Sequence, residues 1–168
     1  MPALYSYVGP REIAARVQPD RLGAPVRSAD DVRVWIESTA QDLSRGAVIA
    51  TFIIDESGVL RIADRRSEHV ACAGGRPVQA AGEMTFSVGP TIEVSEVSNQ
   101  STGYCPEPSS FGSVAKALHA AGIVGPGNYT FACEFRRCDA CNTLTLIKSG
   151  DYTCAVCGAD LPPQYNVQ

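Results

Sequence analysis

The chain has 168 residues, 45% of them apolar and 19% charged, and a net charge of −4. That is a globular composition, long enough for one ordinary domain plus a small appendage, and it excludes a disordered chain. The charge excludes a broad electrostatic hold on nucleic acid: residues 1–66 carry nine basic and nine acidic side chains, 67–127 two and five, and 128–168 three and four, so no segment is a basic tail.

In chain order, the stretch GPREIAARV predicts one short helix, with Pro10 at its start and Ile13 and Val17 on one face. Ser28-Ala-Asp-Asp31 reads as a helix start, a serine cap with an acid three residues on. Val32, Trp35, Ile36, Thr39 and Leu43 then recur at helical spacing, and Gly46 closes the helix. The β-branched run 47–55, a turn at Glu56-Ser57-Gly58 and the alternating run 59–64 predict a hairpin. Glu83–Val88 and Thr91–Val97 predict a second hairpin around Gly89-Pro90. Residues 109–122 predict a second helix, capped by Ser109 or Ser110 and closed by Gly122, with His119 near its C-terminal end. Two hairpins between two helices predict an α+β core, an antiparallel sheet with the helices on one face. Gly125-Pro126-Gly127 reads as a hinge, dividing a core domain (1–127) from a cysteine-rich domain (128–168).

The N-terminus lacks the charged start and apolar run of a signal peptide, and no apolar run approaches membrane-spanning length. The expected compartment is therefore the cytosol, where thiols stay reduced. Seven cysteines, an odd number, suit metal ligation plus free thiols better than a disulfide framework.

Four of the seven form two C-x-x-C pairs: Cys138 with Cys141, and Cys154 with Cys157. One such turn brings two thiolates within reach of one ion, and a second completes a tetrahedron. NTLTLIKSGDYT between the pairs is expected to supply two short strands turning at Lys148–Asp151. Gly158 after the second pair lets backbone N–H groups approach the sulfurs. A redox dithiol needs only one pair, and an S₄ site suits iron as well as zinc. The pattern over residues 131–162 resembles the zinc ribbons with rubredoxin-like knuckles. The resemblance implies one structural Zn²⁺ per chain on Cys138, Cys141, Cys154 and Cys157. With four thiolates there is no open position for water, so the site is a staple for the fold and not a catalyst.

Cys72, Cys105, Cys133 and His69 remain. Ser67–Gly75 and Ser98–Glu107 are rich in glycine and short polar side chains, as expected of loops that carry a site. One reading is a thiol nucleophile, Cys105 or Cys72, with His69 as base and Glu68 or Asn99 orienting it. A second is another metal site from His69, Cys72 and Cys105. A third takes the thiols as small core residues and Asn99–Thr102 as a self-bonded turn. The zinc-deaminase signature is absent: Glu68 directly precedes His69, and neither cysteine pair follows a proline. Arg136, Arg137 and Lys148, with Tyr129, Phe131, Phe135 and Tyr152, could form a small nucleic-acid surface; acids nearby cancel the charge, and Phe131, Phe135 and Tyr152 are expected to cover the ribbon's apolar side.

Residues 77–108 resemble a module found near the ends of bacterial polymorphic toxin and effector proteins. The matching positions are Ala81, Gly82, Glu83, Asn99, Ser101, Tyr104 and Pro106; Thr102 stands where that module has glycine, and Gly103 where it has histidine. The resemblance implies a bacterial source and a link to toxin or effector systems, but supplies no reaction. The expectation is therefore a cytosolic, zinc-stabilised adaptor that binds a protein partner through the ribbon and the 98–108 loop. The alternatives are a cysteine enzyme using Cys105 or Cys72 with His69, and a nucleic-acid adaptor.

Overall fold

The computed structural model covers residues 1–168. Its centre is a five-stranded antiparallel sheet in the order β1-β3-β2-β4-β5, built from β1 (Ala24–Val26), β2 (Ala47–Ile54), β3 (Leu60–Asp64), β4 (Ala80–Val88) and β5 (Ile92–Val97). Both expected hairpins form: β2 pairs with β3 and β4 with β5. The central pairing, β2 with β4, runs in unbroken register from Ala47↔Ser87 to Ile54↔Ala80. Both strands carry long apolar runs because both sheet faces are covered at this point.

The two main helices share one face. In α2 (Ala29–Ser38), the Ser28 hydroxyl accepts from the Asp31 amide while the Asp31 carboxylate accepts from the Ser28 amide, closing a capping box. α2 stops at Ser38, so Leu43, assigned to it by spacing, lies outside it and is exposed. α4 (Phe111–Ala120) follows a 3-10 turn at Pro108–Ser110. Val32 and Trp35 of α2 and Val114, Ala117 and Leu118 of α4 join Val48, Ala50, Phe52, Phe86 and Val94 in the main apolar core.

The opposite face carries shorter cover. The α1 turn (Arg11–Ala14) and α3 (His69–Cys72) lie over it with the N-terminal segment, whose Tyr5 bridges to Val78. α3 is too short to announce itself by periodicity. No helix is long and apolar enough to cross a membrane.

β5 holds an irregularity that its sequence hints at. Ile92, Val94 and Val97 are all buried, although a strand alternates every two residues. A bulge resolves this. Thr85 faces Glu96 and Phe86 faces Val94, leaving Ser95 as the extra residue, so Val97 returns to the core side.

After the core, β6 (Glu134–Arg137) and β7 (Leu144–Ile147) form a second, two-stranded sheet. The first strand precedes Cys138 instead of lying within the inter-pair linker as expected. The two strands flank the first C-x-x-C, and the Thr153↔Asp160 bridge flanks the second. Tyr129 belongs to the main core, where its hydroxyl bonds Ser110 at 2.7 Å and its ring meets Phe111 edge-on.

Candidate metal centre

The two cysteine turns are near copies of each other. In the first, the Asn142 amide donates to the Cys138 carbonyl at 2.8 Å and the Cys138 amide to the Thr143 carbonyl at 2.9 Å. In the second, the Gly158 amide donates to the Cys154 carbonyl at 2.9 Å and the Cys154 amide to the Ala159 carbonyl at 2.8 Å. Each turn closes through a residue with positive φ, Asn142 at 62° and Gly158 at 75°. Asparagine and glycine are the residues that tolerate this conformation best. The sequence signal is therefore longer than C-x-x-C: each pair is followed by a residue able to turn left-handed. The sequence reading singles out Gly158 only for close approach of backbone N–H groups to the sulfurs, and does not single out Asn142.

The turns face each other. Cys138 Sγ lies 3.6 Å from Cys157 Sγ, and Cys141 Sγ lies 3.6 Å from Cys154 Sγ. All four sulfurs lie within 4.8 Å of one another. A tetrahedral ion with metal–sulfur bonds of about 2.3 Å requires sulfurs about 3.8 Å apart. The donor set therefore fits one tetrahedral metal ion. Cys138 and Cys154 are buried, while Cys141 and Cys157 form the solvent side.

The electrostatics point the same way. The amides of Cys157 and Val156 face Cys154 and hold its thiol down to about 6. The Ala159 amide pulls Cys157 down, but the sulfurs of Cys138 and Cys141 outweigh it and push that thiol up to about 12. Thiolates this close repel one another until a cation compensates them.

The remaining predicted residues do not meet. Cys72 lies in the apolar layer under the N-terminal segment, with Sγ 3.8 Å from the Arg61 carbonyl. Cys105 lies in a separate cluster with Cys133, Phe135 and Val167, its thiol donating to the Thr102 carbonyl at 3.3 Å. Burial raises both thiols to about 12, the opposite of an activated nucleophile. A His69 ring nitrogen pairs with the Gly82 carbonyl at 2.9 Å, and burial lowers its pKa despite that bond and the nearby Glu83 and Glu68. His69, Cys72 and Cys105 do not form a metal-binding cluster.

The 98–108 segment, expected to be a surface loop, is mostly interior. Asn99 is fully buried; its side-chain amide donates to the Pro106 and Cys133 carbonyls at 2.9 and 2.8 Å and accepts from the Cys133 amide at 2.6 Å. Tyr104 is also buried, and its hydroxyl donates to the Arg76 carbonyl at 2.8 Å. Asn99 thus ties core to ribbon.

Two side chains weighed as a nucleic-acid surface are placed otherwise. Arg136 is buried, its guanidinium donating to the carbonyls of Phe135, Pro162 and Pro163 and lying 5.5 Å from the centre of the Tyr152 ring. Phe131, expected to cover the ribbon, is 57% exposed beside β5, where it bridges to Ser98.

The fold is thus a mixed α+β sheet protein carrying a tetrathiolate cluster compatible with a zinc-ribbon-like site. No family model matches the chain, and neither a curated protein nor a solved structure matches it.

Proposed function

We propose that the protein is a non-enzymatic docking module whose C-terminal ribbon is built on one structural zinc ion. The observation that carries this reading is the four-sulfur cluster, whose spacing fits a tetrahedral ion with every coordination position taken by protein. Such an ion stabilises and cannot activate water. The buried, high-pKa thiols of Cys72 and Cys105 weigh against the cysteine-enzyme reading. The buried Arg136 weighs against a phosphate-tracking ribbon. Seven unpaired thiols suit a reducing compartment such as the cytosol. The link to toxin or effector systems rests on the resemblance of residues 77–108 alone.

The partner surface that fits best is the open part of the sheet beside Phe131. A cavity of about 290 Å³ there is lined by Ile49, Glu83, Thr85, Glu96, Gln100 and Phe131 among others. Two carboxylates and an exposed aromatic ring suit the arginine or lysine side chain of a basic protein partner. Arg65 approaches Glu83 only at 3.8 Å with both side chains about half exposed, a weak pair that a partner can displace.

The test compares crosslinked partners of the wild type with those of Glu96→Lys and Phe131→Ala. Recovery of a specific partner should fall about tenfold in each variant, the worth of one lost charge pair or cation–π contact in a desolvated interface. Each variant should keep one zinc per chain by elemental analysis. The same partners at the same yield from all three proteins would remove this face from consideration. A chain purified without zinc would remove the structural premise.

A further inference from the structure

The geometry points to a second ligand site, far in kind from the cysteine cluster: a phosphate-binding pocket between the N-terminal segment and the first turns of α4, with Tyr5, Ser109, Ser113 and Lys116 as its donors. It does not depend on the docking reading above. The cavity is about 270 Å³ in volume and is polar where Tyr5, Gln79, Ser109, Ser113 and Lys116 line it. Ser109, Gly112, Ser113 and Lys116 are spaced at i, i+3, i+4 and i+7, so they share one side of the helix and its leading turn. The ten-residue helix directs the positive end of its dipole toward this turn. Lys116 adds a full charge two turns along.

The second observation is Tyr5. It is 98% buried, and its hydroxyl is the one buried side-chain oxygen or nitrogen in the protein with no hydrogen-bond partner. Its position is fixed: Tyr5 exchanges both backbone hydrogen bonds with Val78, at 2.8 and 3.0 Å, and its ring meets Tyr165 edge-on. The hydroxyl faces the Ser109 side chain and the Glu107 amide without closing a hydrogen bond to either. Phenylalanine would fill the same space without an unsatisfied buried hydroxyl. A tyrosine phenol is protonated at neutral pH, and burial raises its pKa further, so it is a donor in need of an acceptor. Tyr5, Ser109, Ser113 and Lys116 thus line one small cavity beside a helix N-terminus. A phosphate group offers several acceptor oxygens and negative charge, which matches that set. Glu107 opposes it, being near enough for its charge to be felt at the Tyr5 hydroxyl.

The experiment uses the full-length, metal-loaded protein. Isothermal titration and thermal melting are run with inorganic phosphate and with methyl phosphate, at ionic strength held constant with chloride. The expected result is saturable binding at one site per chain and a Tm that rises with phosphate and not with chloride. Preference between the two probes then distinguishes free phosphate from a phosphomonoester. Tyr5→Phe should melt at the same or a higher temperature without phosphate, yet bind about tenfold more weakly. Lys116→Ala, at an exposed position, should also weaken binding about tenfold, and Glu107→Gln should strengthen it. Absence of a saturable response in the wild type overturns the assignment. So does undiminished affinity in Tyr5→Phe and Lys116→Ala, which would leave only an ordered water on the Tyr5 hydroxyl.

Discussion

Gly82 shows what a single residue contributes here. It lies on β4 opposite Phe52 of β2, and a methyl group on its Cα would overlap the Ser98 carbonyl oxygen. The overlapped atom is backbone, so no side-chain rotation relieves it. Next to it the Ser98 amide donates to the Glu83 carbonyl at 2.9 Å, and the Gly82 carbonyl pairs with His69. Gly82→Ala must therefore push β5 and the Asn99 segment away from β4. The expected cost is about 3 kcal/mol, the upper end of what overpacking imposes. Urea unfolding measures it, and an unchanged midpoint would contradict the close approach. Gly82, Asn99 and Tyr104, three residues of the 77–108 stretch singled out from the sequence, thus serve backbone packing and hydrogen bonding in this chain. Their composition alone looks like a site, because short polar side chains and glycine serve tight backbone packing as readily as chemistry.

At the scale of elements, the ribbon is expected to depend on a metal ion in a way the sheet does not. β6 and β7 have four residues each, and the apolar cluster beneath the second turn has only four buried members, Cys138, Ile147, Cys154 and Leu161. Two of those four belong to the four-sulfur cluster. So small an element has little apolar surface to hold it once the sulfurs lose their cation. Cys154→Ser should reduce bound metal from one ion per chain to none, by elemental analysis. In hydrogen exchange it should deprotect the amides of β6 and β7 while β2 and β4 stay protected. Loss of protection throughout would mean that ribbon and sheet fold as one unit. The knuckles were legible in the sequence because the C-x-x-C spacing fixes their geometry locally. β7 falls within the linker as expected, but β6 was misplaced, because a four-residue strand carries too few alternations to register.

At the scale of the whole molecule, residues 162–168 lace the parts together. The Tyr165 hydroxyl donates to the Cys105 carbonyl at 2.7 Å, and Asn166 exchanges hydrogen bonds with Arg137 at 2.8 Å in both directions. The Gln168 side chain accepts from the Ser6 amide at 2.7 Å, and Val167 is buried beside Cys105 and Phe135. Removing residues 162–168 should destabilise the protein by about 3–5 kcal/mol, from one buried aliphatic side chain and several hydrogen bonds. Arg136 would also lose its Pro162 and Pro163 carbonyl partners and sit buried with less compensation. Thermal unfolding of the truncated chain at constant metal occupancy measures this, and an unchanged midpoint would show that the tail is only draped on the surface.

The sequence by itself determined whatever depends on neighbours along the chain. The Ser28 capping box, the two hairpins, the amphipathic α4 and the cysteine turns all follow from spacings of a few residues. Tertiary structure decided the rest. The bulge at Ser95 exists because Val97 must reach a core that β4 and α4 define. The burial of Cys72, Cys105 and Asn99 depends on segments 11 to 60 residues away that cover them. The pocket on Tyr5 joins residues more than 100 positions apart. A residue's type states what it can do, but its solvent exposure and partners are set by chain folded back from elsewhere, and these choose between core packing and chemistry.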